Sequence, residues 1–131
     1  WKNLDYERSG IPMDRPGARV DRMIEHTAVL KGLFSPGPFS FAGEHYTVTE
    51  HTGQPTPVQR PRPPLFIGGG GRRLLTLAGR EADIVGLAPR TLSVPSGDTV
   101  RSDPRSITIA ATEEKLAWVR HAAGDRFADV N

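Results

Sequence analysis

Apolar residues recur at helical spacing between Arg19 and Phe34. Val20, Met23, Ile24, Thr27, Leu30 and Phe34 form one face, with Asp21, Arg22, Glu25 and Lys31 on the other. Pro16 suits the first turn, where its missing N–H has no bond to lose, and Ser35-Pro36-Gly37-Pro38 ends the segment. The stretch before it, Trp1–Arg15, mixes polar residues with Gly10 and Pro12 and reads as a loop. After it the period falls to two. Phe39 and Phe41, then Tyr46 and Val48, flank Ala42-Gly43-Glu44 and predict a short β-hairpin over 39–50. Prolines 55, 57, 61, 63 and 64 then predict a stiff, extended connection that cannot be helical.

Leu65-Phe66-Ile67 is a short apolar run bounded by turn signals, the form of a buried parallel strand. Four glycines, Gly68–Gly71, and Arg72-Arg73 follow it. Leu74, Leu75, Leu77 and Ala78 give a helix up to Gly79-Arg80-Glu81, and Ala82–Leu87 is a second strand. Because strand–helix–strand crossovers are almost always right-handed, this βαβ unit predicts two parallel strands. Ala88–Ile109, with Pro89, Pro95, Gly97 and Pro104, reads as an irregular loop. A last amphipathic helix follows, with Thr112 as its N-cap and Glu113 and Glu114 at its positive end. Its apolar stripe is Leu116, Val119, Ala123 and Phe127, and Gly124 falls late in it.

Composition narrows the classes. A chain of 131 residues, 37% of them apolar, is one domain with a thin core. Seventeen basic against fifteen acidic side chains leave a net charge of +2, which does not indicate a nucleic-acid or membrane-surface protein. The absence of cysteine excludes disulfide frameworks and zinc fingers. No apolar run reaches the length of a spanning helix and no signal-peptide pattern opens the chain, so the expectation is a soluble, cytoplasmic protein without membrane contact.

The glycine run is the strongest candidate for chemistry. Glycines let backbone approach a ligand closely, and N–H groups at a helix start receive anions; Arg72 and Arg73 add guanidinium donors for phosphate or carboxylate. No Lys-Ser/Thr follows as a P-loop requires, and Arg73 stands where a dinucleotide fingerprint needs its third glycine. The competing reading is a tight strand-to-helix turn with two solvent-facing arginines. His26, His45, His51 and His121 are scattered without metal-ligand spacing, so no metal site is expected. Asp83 at a strand start reads as a capping or hydrogen-bonding residue, Trp118 as half-buried surface, and Arg60-Pro61-Arg62 as part of a solvated linker rather than a nucleic-acid contact.

In order along the chain, the segments resemble the luciferase-like monooxygenases, and among them the F420-dependent oxidoreductases. Residues 20–34 resemble the helix before that family's insertion. Phe39-Ser40-Phe41-Ala42-Gly43-Glu44-His45-Tyr46 is similar to its F-x-G-x-x-Y hairpin. Pro57-Val58-Gln59-Arg60-Pro61 and Pro63-Pro64-Leu65-Phe66-Ile67-Gly68-Gly69 resemble its lead into a barrel strand. Leu77-Ala78-Gly79-Arg80-Glu81-Ala82-Asp83 and Thr112–Arg120 resemble the helices that follow.

The resemblance implies an α/β chain forming part of a (β/α)8 TIM barrel. Residues 1–131 would be a central segment holding roughly strands 5 and 6, with the hairpin and Pro-rich insertion at 35–64. It implies an oxidoreductase passing a hydride between coenzyme F420 and a small organic substrate, with FMN and molecular oxygen as the alternative. It puts Gly68, Gly69, Val85 and Gly86 along the coenzyme, with Gly70, Gly71, Arg72 and Arg73 toward its phosphate-bearing tail. Catalytic residues are expected outside this chain, so the chain alone is expected to be inactive; the full-length protein is expected to dimerise. The readings from other classes are a non-enzymatic anion-binding module and a truncated remnant.

Overall fold

The computed structural model describes residues 3–92 and 101–131. It divides into two compact units, one Arg15–Pro64 and the other Trp1–Asp14 with Leu65–Asn131. Among the described residues no helix is long and apolar enough to cross a membrane.

In the unit Arg15–Pro64, helix α2 (Pro16–Phe34) carries the hairpin of β1 (Phe39–Ala42) and β2 (Thr47–His51). The strands are antiparallel, with the register shifting between Phe39 and Phe41. Thr27 and Val29 are buried, while Ile24, expected on the apolar face, is exposed. Thr27 meets the demand of burial by donating its hydroxyl to the Met23 carbonyl at 2.8 Å.

The hairpin turn is tied to α2 by one carboxylate. Glu25 accepts the backbone N–H groups of Glu44 (2.8 Å), His45 (2.9 Å) and Tyr46 (3.1 Å). Burial would raise its pKa, but the three N–H donors and the charge of His45 outweigh it and hold the carboxyl below its ordinary value of 4.5. A lowered carboxylate stabilises the fold above its unfolded value and loses that contribution as pH falls through the folded one. Glu25→Gln is therefore expected to destabilise the chain at neutral pH. Below the ordinary carboxylate range its stability should converge on that of the wild type, as a pH series of thermal unfolding will read.

The other unit opens with α1 (Asn3–Arg8), where the sequence reads as a loop. Its stop signal is Gly10 at φ +65°. The N–H of Gly10 donates to the Glu7 carbonyl and that of Ile11 to Tyr6, the paired bonds that close a helix through a left-handed residue. Strand β3 (Phe66–Gly69), helix α3 (Arg72–Glu81) and strand β4 (Ile84–Leu87) form the expected βαβ unit, and β3 and β4 are parallel with Phe66 opposite Ile84 and Gly69 opposite Leu87.

Asp83 has the hydrogen-bonding role its position suggests. Its Oδ2 accepts the Leu65 N–H at 2.7 Å, and its own N–H donates to the Leu65 carbonyl at 2.9 Å, joining the starts of both strands. On the other edge of β4, Asn131 donates to the Asp83 carbonyl and accepts from the Val85 N–H. Those two bonds are the pattern of a further parallel strand.

The segment expected as an irregular loop contains a short antiparallel pair, β5 (Thr91–Leu92) and β6 (Arg101–Ser102), and a 3₁₀ turn at Pro104–Ser106; Pro95 and Gly97 lie outside the described residues. Helix α4 (Ile109–Ala123) starts one turn earlier than expected. Thr108, not Thr112, is its N-cap, accepting the Ala111 N–H, and Thr112 lies inside the helix, donating its hydroxyl to the Thr108 carbonyl. Glu113 and Glu114 are consequently not in the first turn. The buried stripe is Lys115, Val119 and Ala123, with Leu116 turned outward. Gly124, at φ +56°, closes the helix and a 3₁₀ segment follows (Gly124–Asp129).

The core lies where α3 packs on α4 and on the strand pair. Leu75, Ala78 and Ala82 are wholly buried there, with Ile67 and Val119 nearly so. Arg126 caps α3, its guanidinium donating to the carbonyls of Gly79, Arg80 and Ala82.

Candidate functional site

Parallel strands direct their C-terminal ends to one side, where the following loops meet. Ile67 and Val85 are register partners, and Ile67 is buried on the side packed by α3. The pleat gives the opposite face to Phe66, Gly68, Ile84 and Gly86. A β-carbon at Gly86 would lie 2.7 Å from Phe66 Cζ and one at Gly68 3.5 Å from Phe66 Cε1, so the Phe66 ring lies beside this glycine pair. Phe66 is nonetheless 64% exposed. That face is apolar, with the exposed Phe66 ring lying over the glycine backbone.

Beyond β3, the Gly69 carbonyl accepts the Ala88 N–H at 2.9 Å, holding the two strand ends together. A β-carbon on Gly70 would stand 2.6 Å from the Pro89 oxygen and 2.7 Å from the Ala88 oxygen, closer than any side chain tolerates. None of Gly68–Gly71 has a positive φ, so at Gly70 it is space and not conformation that requires glycine. At Gly71, the N-cap of α3, an added β-carbon would meet nothing within 4 Å.

No side chain caps α3 and no acidic residue stands in its first turn. The first helical bond runs from the Leu75 N–H to the Gly71 carbonyl, so the preceding N–H groups have no helical acceptor. Arg72 and Arg73 occupy this turn and are exposed. A helix start without a side-chain cap, the positive end of the helix dipole and two exposed arginines together favour an anion at this turn.

The loop after β4 is built as firmly. Ser106 accepts the Arg90 N–H at 2.8 Å and donates to the Asp103 carbonyl at 2.7 Å. The Asp103 carboxylate accepts the Arg105 N–H and pairs with its guanidinium. The Arg105 side chain and N–H, helped by the charge of Arg90 and against the effect of burial, hold that carboxyl below its ordinary range. Lys115, 3% exposed, donates from Nζ to the Ala88 carbonyl at 2.9 Å and the Ser106 carbonyl at 2.7 Å. Arg90 lies over the Trp118 ring, 5.7 Å from its centre, on the half-buried surface expected for that residue.

The eight residues proposed from sequence thus lie along two adjoining strand ends, but in three sets. Gly68 and Gly86 share the Phe66 face, and Gly70, Gly71, Arg72 and Arg73 form the turn. Gly69 lies under the Leu74 side chain, which a β-carbon would strike at 2.6 Å, and Val85 shares the packed face with Ile67. Among the described residues no group of three or more His, Cys, Asp or Glu gathers as a metal site. His26 packs against the Tyr46 ring, at 5.8 Å between centres.

Sequence reasoning missed Lys115 and Asp103. Asp103-Pro104 carried a local signal, an N-cap residue followed by proline at the first position. Lys115 carried none, because its acceptors are 27 and 9 residues away.

A parallel strand pair with helices packed against it and a glycine turn at its C-terminal edge defines an α/β segment. Residues 1–97 match the luciferase-like monooxygenases, and the chain belongs to that family. An FMNH(2)-dependent dimethylsulfone monooxygenase of Pseudomonas putida is 34% identical over 83 residues, 63% of this chain and 23% of that protein. An uncharacterized protein of Mycobacterium tuberculosis is 34% identical over 76 residues, 58% of this chain and 25% of that protein. An F420-dependent secondary alcohol dehydrogenase, solved in complex with an F420-acetone adduct, superposes with a TM-score of 0.65 at 19% identity, covering 92% of this chain and 32% of its own. The mixed α/β fold is therefore that of a luciferase-like barrel protein, although the described strands close no barrel. The chain spans 23–25% of the length of these curated relatives.

Proposed function

We propose that this chain is the coenzyme-holding segment of a luciferase-like oxidoreductase that passes a hydride between coenzyme F420 and a small organic substrate. In this reading β3 and β4 are the fifth and sixth barrel strands, and Asn131 begins the seventh. The observation that carries it is the β3–α3 turn, uncapped, free of acid, bearing Arg72 and Arg73, and pressed through Gly70 onto the loop after β4. Gly70 lets the turn press onto the loop after β4, Gly71 leaves room for the phosphate-bearing tail, and the arginines neutralise it. On the face of Gly68 and Gly86 the Phe66 ring lies over the glycine backbone, and its exposed side gives a flat ring an apolar surface to stack on.

Bound coenzyme supplies the hydride chemistry; these residues hold its tail, orient its ring and keep water from one face. No residue of this chain is assigned to proton transfer. FMN is the second reading, favoured by the FMNH(2)-dependent monooxygenase among the relatives. A full-length homodimer and a cytoplasmic location go with either reading.

Fluorescence titration with F420 and with FMN tests the proposal. Saturable F420 binding is expected, weakened about tenfold in Arg73→Ala, because a hydrogen bond to a charged group is worth about 1.5–3 kcal/mol. Preference for FMN would move the function to a flavin monooxygenase. Binding of neither would sink the coenzyme reading.

A further inference from the structure

A lysine in the buried stripe of α4 calls for a physical reason. Val119 and Ala123, one and two turns along, fill the same stripe with apolar groups, and a methionine or leucine at 115 would pack there without the cost of desolvating an ammonium. The distinctive contribution of Lys115 is its pair of hydrogen bonds, at 2.9 Å to the Ala88 carbonyl and at 2.7 Å to that of Ser106. Ala88 is the first residue after β4, and Ser106 ends the 3₁₀ turn before α4. The same Ala88 carbonyl is one of the two oxygens against which Gly70 packs, and the Ala88 N–H is bonded to Gly69. One carbonyl therefore connects a buried cation on α4 to the glycine turn at the start of α3.

We propose that Lys115 is a positioning residue for the anion turn: by fixing the Ala88 carbonyl it sets where Gly70 sits, and so where the N–H groups of Gly71, Arg72 and Arg73 point. It acts without touching the coenzyme. The inference rests on the function proposed above only for the identity of the ligand; the mechanical link stands on the hydrogen bonds.

Lys115→Met and Lys115→Arg in the full chain test it, with amide hydrogen exchange and coenzyme titration as separate readouts. In Lys115→Met, exchange at Ala88, whose N–H is bonded to Gly69, is expected to quicken about tenfold while Leu75–Ala78 keep their protection, the loss of a charged hydrogen bond setting the scale. Lys115→Arg keeps donors for both carbonyls and is expected to restore protection at Ala88. The affinity for F420 or FMN should fall about tenfold in the methionine variant and recover in part with arginine. Unchanged exchange at Ala88, or a rise spread evenly over α3 and α4, would overturn the inference, since Lys115 would then only pack.

Failure of arginine to rescue would overturn it as well. Should the methionine variant not fold, displaced Gly70 and Gly71 amide resonances in Lys115→Arg are expected, and undisturbed ones would refute the link. If the wild type binds neither coenzyme, the functional reading fails while the exchange result still decides the role of Lys115.

Discussion

Gly79→Val is expected to cost about 3 kcal/mol of stability, at the upper end of what overpacking a core costs. At Gly79 helices α3 and α4 are in close contact: a β-carbon there would lie 2.6 Å from the Val119 oxygen and 3.0 Å from Ala122 Cβ. The first of these is helix backbone, so no rotamer relieves the collision and the helices must separate. Separation opens the contact around Leu75 and Val119, the largest fully buried side chains among the described residues. Gly79→Ala makes the argument sharper. Helix propensity alone predicts a gain of about 1 kcal/mol for glycine to alanine inside a helix. The close approach predicts a loss instead, and urea unfolding of the alanine variant gives the sign. A stabilised Gly79→Ala would show that α3 and α4 are not in close contact at this residue.

Gly70→Val is expected to lower coenzyme affinity at least tenfold, on the scale of one lost charge-assisted hydrogen bond. The cause lies inside the protein, where the added carbon meets the Ala88 and Pro89 oxygens at 2.7 and 2.6 Å and pushes the turn away from the β4 loop. Gly71→Val provides the complement. Nothing lies within 4 Å of a β-carbon at that position, so any loss of binding comes from the ligand side. Both variants should lose affinity, but only Gly70→Val should also lose protection at the Ala88 amide. Loss of that protection in both, or in neither, would contradict the packing described for the turn.

The parts of this fold that could be read in the sequence are those whose signal is local. The period of α2, the alternation of the hairpin and the strand–glycine–helix–strand order of residues 65–87 each depend on neighbours within a turn or a strand. Helix α1 had such a signal in Gly10 after Arg8-Ser9, but six residues are too few to show a period. Thr108 and Thr112 present the same hydroxyl four residues apart, and local chemistry does not choose between them. The choice follows from the Asp103–Ser106 turn that leads into α4.

The expected stripe through Leu116 missed by one position because Lys115, a charged residue, faces inward to reach two carbonyls. The sequence shows Glu25 only as part of the polar face of α2, because its three N–H partners are 19 to 21 residues distant. At the candidate site the residue types of the turn were legible. Their division between the Phe66 face and a packed one, and the carbonyls that make Gly70 obligatory, depend on β4 and its loop lying alongside.

The measurement closest to the central claim compares each coenzyme with its phosphate-free head, FMN with riboflavin and F420 with its ribityl deazaflavin, on the wild type and on Gly70→Val. If the β3–α3 turn holds the phosphate, the phosphorylated form of the preferred coenzyme binds at least tenfold more tightly to the wild type, the scale set by one charged hydrogen bond. Gly70→Val should narrow that difference. Equal affinity of both forms for the wild type, or a difference that survives in Gly70→Val, would mean that this turn does not hold the phosphate.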